Sequence, residues 1–318
     1  MALILLRRTG FFQCLIICLV VTIAIAFLLG LVPLSSIIDS CDCKPNETKM
    51  TGKYTRGNNA KKRLCVIVPF RDRFEELLQF GPHLHKFLYD QNIPHLIYII
   101  NQIDKFRFNR ASLINVGFLE SRSNCDYIAM HDVDLLPINP ELSYAFPEHG
   151  PFHIASPDLH PIYHYKNFVG GILLINNKHF ESVRPVQIFA SHLNGMSNKY
   201  WGWGMEDDEF YARIRKKSLN LTRPVGITTG SRNTFQHIHD RQKRKRDQGK
   251  VYNQREENRR LDMTSGISSV AYKLVNQYNL AIDGTPVQVL NVFLSCNRTA
   301  TPWCEVVNSQ QINKKKTL

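Results

Sequence analysis

The chain has 318 residues, 43% of them hydrophobic and 21% charged, with a formal net charge of +13. That length holds one large domain or two small ones, and this balance of apolar and charged residues excludes a disordered or fibrous chain. The basic excess is uneven: Arg241 to Arg260 carries nine basic and three acidic residues, and Lys314, Lys315 and Lys316 lie near the C-terminus.

Arg7 and Arg8 precede Phe11 to Leu29, which is apolar except for Gln13 and Thr22. The run approaches the roughly 20 residues needed to span a bilayer. A cleavable signal has a shorter apolar core and a small-residue cleavage site, and neither is present. The reading is an uncleaved signal anchor, with the arginines on the cytoplasmic side and the rest in a lumen. This gives a cytoplasmic tail over 1–10, a transmembrane helix over 11–30, a polar stem over 31–62 and a folded domain over 63–318. Nucleic-acid binding is not expected behind such an anchor.

Leu64-Cys65-Val66-Ile67-Val68-Pro69 reads as a buried strand. Phe74 to Tyr89 has helical spacing, which Gly81-Pro82 is expected to interrupt. His95 to Ile100 reads as a second strand, Asn109 to Glu120 as a helix and Asp126 to Met130 as a third strand. Strand–helix alternation implies a largely parallel sheet with helices on its faces, and ligands in such sheets bind beyond the carboxyl ends of the strands. Cys14 and Cys18 lie in the span, and Cys41 and Cys43 just after it could link chains. Cys65 and Cys125 adjoin strands and read as buried thiols. Cys296 and Cys304 are the best candidates for an intrachain disulfide. Asn46, Asn220 and Asn297 open glycosylation triplets.

Four runs carry chemistry. Trp201-Gly202-Trp203-Gly204-Met205 leads into Glu206-Asp207-Asp208-Glu209. Aromatic faces beside crowded carboxylates suit a sugar, and one acid could serve as a general base. The bland reading is a solvated helix start with acids facing the N-terminal dipole. His131-Asp132-Val133-Asp134 ends the third strand, where two acids on one side of an extended chain can hold a divalent cation; a turn is the other reading. His237-Ile238-His239-Asp240 places two imidazoles on one side of an extended segment, and with Asp134 they make a three-ligand set for Mn, Fe, Co or Zn. Pro69-Phe70-Arg71-Asp72-Arg73 follows the first strand and could clamp phosphate, or form surface ion pairs. Phe108-Asn109-Arg110 opens the next helix and reads similarly.

The runs VPFRDR, FNRASLINVGF, HDVDLLP, HYKNFVGGILL, NGMSNKYWGWGMEDDEFYARI, RPVGITTG, HIHD and TATPWC span Leu64 to Cys304. Together they resemble the β-1,4-galactosyltransferase family, most nearly its xylose-acceptor branch. The resemblance implies an α/β GT-A glycosyltransferase fold, a mixed and mostly parallel sheet with helices on both faces, behind the N-terminal transmembrane helix. It implies a UDP-galactose donor, Mn2+, and inverting transfer to O4 of xylose on proteoglycan core proteins, in a Golgi membrane with the catalytic domain in the lumen. Carried onto this chain, Asp134, His237 and His239 bind the metal. Pro69 to Arg73, Phe108, Asn109, Arg110, Val133, Asp134, Tyr163, Trp203, His237 and His239 line the donor site. Gly204, Met205, Glu206, Asp207 and Arg246 meet the acceptor. Asp207 is the base, with Glu206 orienting the acceptor hydroxyls. Two alternatives stand beside this reading: a sibling acting on GlcNAc, and an inactive sugar-binding scaffold. One segment, Glu181 to Leu193, departs from the family pattern by its length and stands just before the Trp run. The basic run Arg241 to Arg260 reads as a loop that closes over the donor, or as a solvated segment.

Overall fold

A computed structural model describes residues 17–25, 27, 61–181 and 193–305. The chain divides into two compact units, 1–48 and 49–318. In the first, residues 17–25 are helical, with Ile17, Leu19, Val20 and Ile23 exposed. Among the described residues no helix is long and apolar enough to cross a membrane. The remainder of the expected 11–30 span lies outside the described residues. So do Arg7 and Arg8, the stem to residue 60, Cys14, Cys41, Cys43, Asn46 and the final lysines.

The second unit is built on seven strands. They are β1 (Leu64–Phe70), β2 (His95–Gln102), β3 (Tyr127–His131), β5 (Phe152–His153), β6 (Ile172–Asn176), β8 (Tyr272–Ile282) and β9 (Thr285–Leu294), in spatial order β5-β6-β3-β1-β2-β9-β8. The pairs β1–β2, β1–β3 and β2–β9 are parallel. The outer pairs β3–β6, β5–β6 and β8–β9 are antiparallel. A separate ribbon joins β4 (Leu135–Pro137) to β7 (Phe235–His237).

β1 is buried along its whole length, and its alternate residues feed two cores. Leu64, Val66, Val68 and Phe70 face the apolar side of helix α1 (Phe74–Asp90), through Leu77, Phe80, Leu84 and Leu88. Cys65 and Ile67 face helix α2 (Arg110–Ser121) and helix α3 (Glu206–Lys216), through Leu113, Phe118, Phe210 and Ile214. Helices therefore cover both faces, as expected.

Two expectations are corrected. Gly81-Pro82 does not interrupt α1, which runs through Pro82 to Asp90. Tertiary burial of four apolar residues outweighs one lost backbone hydrogen bond. Cys65 and Cys125 are not separate thiols but a disulfide, with Cα atoms 5.7 Å apart. Parallel pairing of β1 with β3 sets Cys65 beside Ile128, which brings the turn before β3 next to β1. The sheet is mixed, as the family resemblance implies, with parallel pairs at its centre and antiparallel pairs outside them. The expected Cys296–Cys304 disulfide is present. Residues 182–192 of the long segment are outside the description. The residues bracketing it are pinned together, since Leu193 N–H donates to His179 O at 3.2 Å and Gly195 N–H to Phe180 O at 3.0 Å.

Cys65→Ala with Cys125→Ala is expected to lower unfolding stability by about 2–4 kcal/mol, because the bond closes a long loop in the unfolded chain. Denaturant midpoints of the double variant and the parent would coincide if the bond contributed nothing.

Candidate active site

The parallel strands β1 and β3 finish at the same sheet edge, and a cavity of about 1060 Å³ opens there. Segments distant in sequence line it: Pro69 to Arg73 after β1, Phe108 and Arg110 at the start of α2, Asp132 to Leu135 after β3, and Trp203 to Asp208 at the start of α3. Tyr163, His237, His239 and Arg246 complete the expected set. Two expected residues do not reach it. Phe70 packs in the core against α1. Asn109 is fully buried as the cap of α2: its side-chain oxygen accepts from Ser112 N–H at 2.9 Å and its amide donates to Asn198 O at 2.9 Å.

The β4–β7 ribbon brings two motifs together. Leu135 stands opposite His237, and Ile238 N–H donates to Asp134 O at 2.9 Å. His239 Nδ1 lies 3.3 Å from Asp134 Oδ2 and 3.1 Å from Arg73 Nη1, while its buried Nε2 has no partner. The His237 and His239 rings are 5.7 Å apart. Burial pushes the His237 pKa down, so its imidazole is neutral, the form that ligates metals. Burial would raise the Asp134 carboxyl, but the hydrogen bond from His239 and the nearby imidazoles hold it below its ordinary value. One carboxylate, two imidazoles and an orphaned ring nitrogen fit a transition-metal site. Among the described residues no three such side chains already stand as a formed metal cluster.

The two acids of Asp132-Val133-Asp134 do not share a face. The chain leaves β3 at His131 and turns at Val133 and Asp134. Asp134 meets the histidines, whereas Asp132 Oδ1 accepts from Arg110 Nε at 2.7 Å. Arg110 Nη1 also donates to Asp207 Oδ1 at 3.1 Å. One guanidinium thus holds two carboxylates. The sequence marked Asp132 as a cation-type acid, and its pairing with Arg110 was not readable because that partner lies on another element.

The acids after the Trp run divide by position. Met205, at φ 82°, caps α3 from the left-handed region, and Glu209 N–H donates to its carbonyl at 3.1 Å. Glu209 is buried and takes Arg213 Nε at 2.7 Å and Met263 N–H at 3.0 Å, so it ties α3 to the chain beyond. Glu206 and Asp207 face the cavity, and Glu206 Oε2 has no partner. Burial pushes the Asp207 carboxyl up to about 8; Arg110 pulls it back, and Glu206 and Asp132 push it further up. Gly170 is required beside it, since a Cβ there would collide with Asp207 Oδ2.

The two tryptophans also separate. Trp201 is buried against Phe106, ring centroids 5.9 Å apart, and belongs to the core. Trp203 is 41% exposed and lines the cavity. The Arg246 guanidinium sits 5.3 Å from the Trp203 ring and 5.6 Å from the Tyr163 ring. His160 was missed by the sequence reading. Its Nδ1 accepts the backbone N–H groups of Ile162 and Tyr163, both at 3.0 Å, and burial pushes its pKa down to about 3. It remains neutral and holds the turn that presents Tyr163. Arg71 lines the cavity, but its guanidinium is already spent on Gln102 O, Phe106 O and Asp104 O, at 3.2, 2.7 and 3.0 Å. It braces the approach to α2 rather than offering a free phosphate clamp.

Two family models match the chain: the N-terminal region of glycosyl transferase group 7 over residues 33–147, and the N-terminal domain of galactosyltransferase over residues 150–238. The chain belongs to the β-1,4-galactosyltransferase family. Mouse (Mus musculus) beta-1,4-galactosyltransferase 7 is 57% identical over 242 residues, covering 76% of this chain and 71% of that one. The xylosylprotein 4-beta-galactosyltransferase of Caenorhabditis elegans is 53% identical over 248 residues, covering 76% and 82%. The catalytic domain of Drosophila beta1,4galactosyltransferase 7, solved in complex with xylobiose, superposes with a TM-score of 0.73 at 53% identity, covering 77% of this chain and all of that one. A mutant of that enzyme in complex with manganese, UDP-Gal and xylobiose matches equally well. The architecture is the GT-A glycosyltransferase fold shared with these relatives.

Because the folded-state pKa of Asp207 lies above its ordinary value, the fold favours the neutral carboxyl. That stabilisation is complete below the ordinary value of 3.8 and is lost as pH rises through about 8. Asp207→Asn, fixed in the neutral form, is therefore expected to gain thermal stability on the parent steadily from about pH 4 to about pH 9. Melting curves that stay parallel across that range would show that the carboxyl is not raised.

Proposed function

We infer that the protein is a galactosyltransferase that moves galactose from UDP-galactose to O4 of xylose on proteoglycan core proteins, with inversion, as in synthesis of the glycosaminoglycan linker. One observation carries the reading. A single cavity joins a raised carboxyl, a partner-free carboxylate oxygen and a carboxylate–bis-imidazole set. The chain that builds it is 53% identical to an enzyme crystallised with manganese, UDP-Gal and xylobiose.

Inversion needs one in-line displacement at the anomeric carbon. The attacking hydroxyl must lose its proton as the new bond forms, so one placed base suffices and no covalent nucleophile is required. Asp207 supplies that base. Its raised proton affinity suits it to take the proton near neutral pH once it is ionised. Arg110, between Asp132 and Asp207, fixes the carboxylate's direction. Glu206 Oε2, with no protein partner, accepts from an acceptor hydroxyl. Trp203 and Tyr163 supply aromatic faces for the sugar, and Arg246 lies against both. Asp134, His237 and His239 hold the cation. Bound there, Mn2+ offsets the negative charge that develops on the departing diphosphate. A Golgi location in type II topology follows from the arginine-flanked apolar run and from the class of acceptor.

With UDP-galactose and Mn2+, the purified protein is expected to galactosylate a xyloside in preference to a GlcNAc acceptor; the reverse preference would remove the xylose assignment. Asp207→Asn should lower the transfer rate by about 10²–10⁴-fold, the usual worth of a general base, while UDP binding persists. His237→Ala with His239→Ala should shift the Mn2+ titration of UDP binding to higher concentration, and an unmoved titration would take the metal away from these residues.

A further inference from the structure

Arg107 is a buried cation to which the chemistry above gives no task. It is 5% exposed and lies three residues before α2. Its Nε and Nη2 donate to the two oxygens of Asp247 at 2.6 and 2.9 Å. Nη2 also donates to Gly249 O at 2.6 Å, and Nη1 donates to Gln254 Oε1 at 2.9 Å and Trp303 O at 3.1 Å. A guanidinium has five N–H donors, and these contacts can use all of them. The Arg107 backbone N–H donates to Cys304 O at 2.7 Å, inside the loop closed by the Cys296–Cys304 disulfide.

Residues 241–253 contain neither helix nor strand, and they carry Arg241, Lys243, Arg244, Lys245, Arg246 and Lys250. Like charges so close repel, so the segment needs an outside anchor to keep one conformation. Arg244 pairs with the largely exposed Glu75 at 3.0 Å and lies 3.5 Å from the buried Glu76 with no hydrogen bond between them, a second and looser anchor. The Arg107–Asp247 pair is bidentate and its cation is buried, the stronger kind.

What this anchor fixes lies in the cavity. The Asp247 carbonyl accepts Trp203 N–H at 2.8 Å, and Lys250 Nζ donates to Trp203 O at 2.8 Å. The residue before Asp247 is Arg246, which sits against Trp203 and Tyr163. On the other side, Gly202 packs directly on the guanidinium. Its φ is +79°, and a Cβ there would strike Arg107 Nη2. Gly202 N–H donates to Phe108 O at 2.9 Å.

We propose that Arg107 is a positioning residue that, through its bidentate pair with Asp247, holds the basic segment 241–250 against the Trp203 loop and so places Arg246 on the acceptor side of the cavity. It acts through Asp247 and touches no substrate. A purely structural arginine would differ: its loss would lower the melting temperature without a selective change in acceptor affinity.

The test uses the full chain with Asp247→Asn, which keeps the backbone carbonyl and the side-chain shape, and Arg107→Lys, whose ammonium cannot make the fork. For Asp247→Asn, trypsin cleavage within 241–250 is expected to rise about tenfold and the xyloside KM about tenfold, with kcat within about twofold and the melting temperature within about 2 °C. Arg107→Lys should shift cleavage and KM the same way, and combining the two should add little, since both break one pair. Unchanged cleavage and KM in Asp247→Asn would overturn the proposal, as would a KM shift that appears only with a fall in melting temperature. The KM arm rests on the xylose reading. If the parent protein transfers nothing to xylosides, that reading fails, and the trypsin arm still decides whether this pair holds the segment.

Discussion

Arg110 stands between Asp132 and Asp207, and the site depends on that one guanidinium. Three carboxylates, on Asp132, Glu206 and Asp207, crowd one cavity, Glu206 buried and the other two partly so. Burying an unpaired carboxylate is costly enough that such groups usually take up a proton instead. The fold answers with a cation fixed at 2.7 Å from one acid and 3.1 Å from another. The cation does not cancel the burial, and the pKa values of all three acids stay above their ordinary values. More cations would lower the proton affinity of these acids, and without Arg110 it would rise further. Arg110 owes its position to Asn109, which caps α2, and to the loop before it, which Arg71 braces through three backbone carbonyls. Residues first taken for ligand contacts are thus part of what aims the Asp207 carboxylate.

The same economy separates the two halves of the reaction. Asp132 and Asp134 are two positions apart, yet one pairs with the Arg110 that also holds Asp207 and the other joins the two histidines. The turn at Val133 and Asp134 sends them to different partners. A chain reversal at the end of β3 serves both with a single tripeptide. The β4–β7 ribbon then delivers the histidines to Asp134 by backbone pairing, so the ligand set is held by hydrogen bonds in register rather than by side chains alone.

The central strands, α2 and the Cys296–Cys304 bond were legible because local signals set them: apolar runs, helical spacing and a short cysteine spacing. What was not legible depended on tertiary partners. Nothing local says that α1 passes through Pro82, since the reason is the core beneath it. Cys65 looked like an inert buried thiol because its partner enters through strand pairing sixty positions away. Arg71 looked like a phosphate clamp because its three carbonyl partners belong to a loop with no distinctive sequence. His160 gave no signal, since a lone histidine beside aromatics reads as core until its ring nitrogen is seen holding two amides. The Trp run was recognisable as a site and the family resemblance singled out Trp203, but the run itself held no physical reason for that choice. Only packing against Phe106 assigns Trp201 to the core and leaves Trp203 outside.

That last division explains the glycines of the Trp run. Trp201 is held in the core while Trp203, two residues on, is held at the cavity. The backbone between them must reverse within one residue while passing over the Arg107 guanidinium. Gly202 meets both demands, with a positive φ and no side chain to strike the arginine. Gly204 at φ +97° and Met205 at φ 82° turn the chain again, so that α3 starts with Glu206 and Asp207 in the cavity and Glu209 one turn later in the protein interior. The left-handed step at Met205 costs roughly 1–2 kcal/mol for a residue with a Cβ. The Glu209–Arg213 pair and the packing of Phe210 and Ile214 in the core anchor the helix that follows and offset it. The acids after the Trp run are therefore consecutive for a geometric reason. A helix that begins at the cavity wall and dives into the core offers only its first turn to the cavity, so any acid of α3 that lines it must stand in that turn.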